Sequence, residues 1–128
     1  MNKKRIDSYI DRAVDALKDS GIAQGGKIKK GYRGQISTFG AAVTNGSLKA
    51  AIAFFSNDVN SSDSDRPLLM KSICYILNLK TDKKADDYES TDLYYSIEGK
   101  NGKAASREEI LDAAIALKLA MNFFVLEE

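Results

Sequence analysis

The sequence predicts an all-α fold, a single-domain bundle of five to six helices over residues 1–128. Three observations carry that expectation. Apolar residues recur at three- and four-residue steps through most of the chain, the stripe of an amphipathic helix. No segment sustains the period-two alternation of a half-buried strand, so no significant sheet is expected. At 128 residues, 44% hydrophobic and 29% charged, the chain suits one core rather than two.

The first helix is expected from about Asn2 to Ser20, where Ile6, Ile10, Ala13, Val14 and Leu17 form one stripe and Gly21 stops it. Asp7, Asp11, Asp15 and Asp19 repeat beside that stripe. They read either as a solvated face partly neutralised by Lys3, Lys4, Arg12 and Lys18, or as an acidic docking strip. A second helix from about Gly31 to Thr44 places Tyr32, Ile36, Phe39 and Val43 on one face, and Asn45-Gly46 ends it. The third runs from Ser47 as N-cap to about Phe55, and its Ala50, Ala51 and Ala53 leave room for a close helical neighbour. Residues 56–65 hold almost no apolar side chain and read as a mobile polar loop. Pro67 fits the first turn of a fourth helix carrying Leu68, Leu69, Ile73, Ile76 and Leu77 to about Leu79. After a second polar loop from Thr81 to Ser90, a short helix with Leu93, Tyr94 and Ile97 closes at Gly99, and a flexible turn follows to Lys103. In the last helix Ser106 and Glu109 form a capping box. Its apolar face, Ile110, Ala113, Ala114, Leu117, Met121, Phe124 and Val125, continues nearly to residue 128.

Histidine is absent, which removes the commonest general acid/base and the commonest metal ligand. Triads, Cys-His dyads and histidine metal centres are excluded, and the remaining residues form no recognisable catalytic constellation, so the expectation is a protein that is not an enzyme and needs no cofactor or metal. The one cysteine, Cys74, lies among Ser72, Ile73, Tyr75 and Ile76 and reads as a small core hydrophobe. No apolar run reaches the roughly 20 residues of a membrane span, and Met1-Asn2-Lys3-Lys4-Arg5 does not lead into an apolar signal core; a cytoplasmic protein is expected.

Two motifs are near misses. Gly21 to Lys27 has the glycine and lysine spacing of a phosphate-binding P-loop, but Ile28 stands where a hydroxyl should hold magnesium, and the segment follows a helix rather than a strand. Asp58, Asn60, Ser62 and Ser64 alternate like calcium ligands, yet Asp63 replaces the required glycine and Leu69 the bidentate glutamate.

The net charge of +1 conceals an asymmetry. Residues 1–49 hold ten Lys/Arg and four Asp, a balance of +6, while residues 50–128 hold nine Lys/Arg and fourteen Asp/Glu, a balance of −5. Such a chain suits a polyanion on one face and a basic neighbour, or another copy of itself, on the other. The cationic cluster Lys27, Lys29, Lys30 and Arg33, with Lys49 one helix further on, is the candidate RNA-binding site. Glycines 25, 26, 31 and 34 and the ring of Tyr32 accompany it, as a contact that tracks a nucleic-acid backbone requires. The same residues also read as an ordinary solvated basic loop.

Tyr32, Phe39-Gly40, Val43-Thr44-Asn45-Gly46-Ser47-Leu48-Lys49 and Ala50-Ala51-Ile52-Ala53-Phe54 together resemble the signature block of the small subunit of the type III-B CRISPR RAMP-module complex. The chain departs from that pattern at Phe39-Gly40, where the family carries Leu-Pro, and at Met121 to Phe124, where a tryptophan-containing basic segment is typical. The resemblance implies a helical subunit without nuclease activity. It would stack as a minor filament, with copies of itself, against the backbone subunits and the large subunit, along the channel that holds guide RNA and target RNA. It implies no small-molecule substrate and no membrane. Tyr32, Phe39, Leu48 and Phe54 would then be structural. A stand-alone helical protein-interaction module, an adaptor or a phage-encoded inhibitor, is the alternative.

Overall fold

In the computed structural model, which describes residues 1–57, 65–99 and 104–128, the chain begins with a capped helix. The Asn2 side chain accepts the Arg5 amide at 3.0 Å and starts α1 (Lys3–Asp19), and Gly21, at φ +87°, turns the chain away beyond its end. The face of α1 that carries Ile6, Ala13, Ala16 and Leu17 is buried. Asp7, Asp11 and Asp15 stay exposed.

Between α1 and the second helix the chain forms a small sheet that the sequence reading did not anticipate. β1 (Ala23–Gln24) and β2 (Lys27–Lys29) make an antiparallel hairpin, turned by Gly25 and Gly26 at φ +60° and +79°. Two successive positive φ angles fit the two-residue hairpin turn, whose twist matches that of the strands. β2 runs straight into α2 (Lys30–Asn45), which buries Tyr32, Ile36, Phe39 and Val43. The Ser47 side chain accepts the Ala50 amide and opens α3 (Leu48–Ser56). The Phe39 and Phe55 rings meet edge to face at 5.2 Å and lock α3 onto α2.

Pro67 sits in the first turn of α4 (Arg66–Ile76), whose Leu69, Met70, Ile73, Cys74 and Ile76 are buried. This helix is shorter than expected: Asn78 takes φ 55° just beyond it. The second polar loop is less polar in space than in sequence. It contains a 3₁₀ turn, Ala85–Asp87, and buries Ala85 and Tyr88, with the Tyr88 hydroxyl donating to the Lys80 carbonyl at 3.0 Å and accepting the Lys80 amide at 2.9 Å. Next comes the short α5 (Asp92–Ile97) and then α6 (Arg107–Ala120), opened by the reciprocal Ser106–Glu109 capping box.

The last helix ends earlier than its apolar pattern suggests. Beyond Ala120 the chain makes a 3₁₀ turn, Met121–Phe123, and enters β3 (Val125–Glu127), which pairs in parallel with β2 and completes a three-stranded sheet. Phe124 and Leu126 pack on the core while Val125 points out. Met121, Phe124 and Val125 fit a helical stripe as well as a turn followed by a strand, so periodicity alone could not separate the two.

One helical core results, with the α1–α6 pair as its most extensive contact. Polar clamps tie the helix ends together. Arg12 donates twice to the Tyr75 carbonyl, at 3.0 and 2.8 Å, and stacks on the Tyr75 ring; Arg107 donates to the Val43 and Thr44 carbonyls at the end of α2. No helix among the described residues is long and apolar enough to cross a membrane. Most of the polar loop expected at 56–65, and the turn through Lys103, lie outside the described residues.

Candidate nucleic-acid interface

Strand pairing decides where the cations point. In β2 Ile28 is fully buried while Lys27 and Lys29 are exposed, so both lysines project from the same side of a strand. Their Cα atoms stand about 6.6 Å apart along it, at the usual rise per residue. Lys30, the first residue of α2, continues the exposed cationic edge.

The remaining members of the expected cluster are placed differently. Arg33 is half-buried, and its Nη1 donates to the Asn122 side-chain oxygen at 2.6 Å, tying α2 to the 3₁₀ turn after α6. Lys49 does not join the group. It lies beyond the far end of α2, a helix about 24 Å long at 1.5 Å per residue, and its Nζ is 3.5 Å from the Glu98 carboxylate. Tyr32 is 7% exposed, so its ring is no platform for a base, and burial pushes its hydroxyl above the usual tyrosine range. Gly31 and Gly34 are helical. Only Gly25 and Gly26 keep the backbone role that glycine was expected to play.

The acidic half of the sequence meets the basic half here. Pairing of β2 with β3 places Lys29 opposite Glu127, and Lys30 Nζ lies 3.6 Å from the Glu128 carboxylate. A hollow of ≈ 170 Å³ opens beside the sheet, lined by Gly21, Gln24, Lys27, Lys29, Tyr32 and Glu127. Folding thus sets two carboxylates of the net-negative part of the chain beside lysines of the net-positive part at this edge.

The hairpin was legible from Gly25-Gly26 followed by the alternating Lys27-Ile28-Lys29, a short strand signal overridden by the helical neighbourhood. Phe54, which the resemblance implies is structural, is 57% exposed and lies under the Arg66 guanidinium, 4.6 Å from the ring centre. The Gly21–Lys27 segment folds as this hairpin, not as a strand–loop–helix cradle. Among the described residues no three His, Cys, Asp or Glu side chains gather as a metal site would require. No protein-family model, no curated protein and no solved structure matches this chain.

Proposed function

We propose that the chain is a non-catalytic small subunit of a type III-B CRISPR RNA-guided effector complex, acting in the cytoplasm in defence against phage and plasmids. In this reading it stacks with copies of itself against the backbone and large subunits, and the Lys27–Lys29 edge touches the phosphates of guide and target RNA. The observation that carries the RNA contact is the pair of exposed lysines on one strand face, held in line by a buried Ile28 between them. Cations so placed follow a phosphate chain without reading bases, and that is the contact a non-specific channel wall needs. The assembly part rests on the block from Tyr32 to Phe54, which forms α2, the Ser47-capped turn and α3.

Charge reversal tests the contact. Lys27→Glu/Lys29→Glu in the assembled complex should weaken RNA binding at least tenfold. Losing two phosphate contacts should also make the salt slope shallower by about 1.4, at about 0.7 per contact on a single strand. Unchanged RNA binding removes this edge from the interface.

One observation favours the second reading, a stand-alone helical protein-interaction module. Ala50, Ala53 and Phe54 are exposed on one side of α3, and Ala53 shares a shallow hollow with Tyr94 and with Tyr95, which is 39% exposed, an apolar surface of the kind that meets protein. Co-purification from native extract separates the two. RNA with several repeat-associated subunits supports the first, and a single unrelated protein partner supports the second.

A further inference from the structure

The cationic edge carries its own anion. Glu127 and Glu128 are the only charged side chains between residues 119 and 128, and strand pairing returns both to the cationic edge. Three separate observations place them there: Glu127 stands in register with Lys29, Glu127 lines the hollow shared by Lys27 and Lys29, and Glu128 lies 3.6 Å from Lys30 Nζ. The strand that brings them is only three residues long. It is anchored by Phe124 and Leu126 against the core and by the Val125 amide, which donates to the Gly26 carbonyl at 3.0 Å. Its outer surface is open, with Val125 62% exposed.

We infer that the segment from β3 to Glu128 works as a built-in counter-anion, an autoinhibitory strap in which Glu128 pairs with Lys30 and Glu127 sets a second negative charge beside Lys27 and Lys29, where an RNA phosphate chain would otherwise sit. The inference rests on the RNA reading above and deepens it by naming what regulates that contact. A tethered carboxylate competes at the high effective concentration of an intramolecular ligand, while a longer polyanion wins by engaging several cations at once. Because the Lys30–Glu128 pair is exposed, the competition is weak and screened by salt, so the strap lowers affinity without abolishing it.

Glu127→Gln/Glu128→Gln in the full chain, titrated with single-stranded polyuridylate over a range of salt, tests the strap. Both side chains are exposed, so the fold should be retained. Freeing Lys30 adds one phosphate contact and steepens the slope by about 0.7, so a fourfold rise in salt should cost the variant about 2.6-fold more affinity than the parent. At low salt the variant should bind several-fold more tightly. Asp7→Asn/Asp11→Asn makes the same change of net charge on α1 and should leave affinity within twofold of the parent. A parent that binds with an indistinguishable Gln variant overturns the strap and leaves the RNA contact standing. Equal gains from both pairs also overturn it, because net charge then explains the effect. Failure of both parent and Gln variant to bind RNA, alone and in the complex, overturns the contact and the strap together.

Discussion

Arg5→Ala should destabilise the fold more than Asp112→Ala, although the two residues form one ion pair. Asp112 lies on α6 with its side chain 2% exposed, and it accepts from Arg5 Nη1 at 3.0 Å and from the Asn2 amide at 3.3 Å. The Arg5 side chain, on α1, is 32% exposed. Removing Arg5 leaves a buried carboxylate with one backbone donor, a loss of about 3–5 kcal/mol for a buried charge stripped of its partner. Removing Asp112 leaves a guanidinium that water already reaches, so the loss falls to the charged hydrogen bonds themselves, about 1.5–3 kcal/mol. Alanine also favours the helix interior, which reduces the second cost further. Urea unfolding of both single variants and of the double variant measures this directly. The double variant should be more stable than Arg5→Ala alone, since it no longer buries an unpaired charge. Equal losses from the two single variants, or a larger loss from Asp112→Ala, would refute the argument that burial rather than pairing sets the cost.

Phe39→Ala should cost about 3–5 kcal/mol in the same assay, because it empties a fully buried site against Phe55. Tyr88→Phe removes the hydroxyl that both donates to and accepts from the Lys80 backbone and should cost about 1–3 kcal/mol. Cys74 is fully buried and burial pushes its thiol well up, so a thiol reagent such as dithionitrobenzoate should react only at the rate of unfolding. Cys74, Tyr9, Tyr32 and Tyr88 all have folded values raised, chiefly by burial, above the ordinary values of 9.0 for the thiol and 10.0 for the phenols. The unfolded chain therefore loses these protons first. Their contribution is fully present below pH 9 and declines as pH rises through 9 and 10, which alkaline denaturation monitored by circular dichroism would register.

The helices were legible because each carries local signals that agree with its burial. Asn2, Ser47 and the Ser106–Glu109 box all cap where the sequence places them, and the stripe Tyr32, Ile36, Phe39 and Val43 is the buried face of α2. Apart from the short β1–β2 hairpin, what escaped was non-local. β3 exists because it finds β2 across almost the full length of the sequence, and a three-residue strand has too short a pattern to declare itself. Tyr88 looked like part of a polar loop because its neighbours are charged, whereas its core role depends on Lys80 folding back to meet it. The candidate site was half legible for the same reason. Lys27, Lys29 and Lys30 come together because they are neighbours in sequence, while Lys49 is carried away by the length of α2 and Glu127 is brought in by strand pairing.

Lysine footprinting of the native assembly by reductive methylation and mass spectrometry, before and after ribonuclease treatment, tests the proposed phosphate contact most directly. Lys27 and Lys29 should be shielded while RNA is present and become reactive when it is digested, with Lys3 and Lys4 on α1 reactive throughout. Full reactivity of Lys27 and Lys29 with RNA still bound would contradict the account.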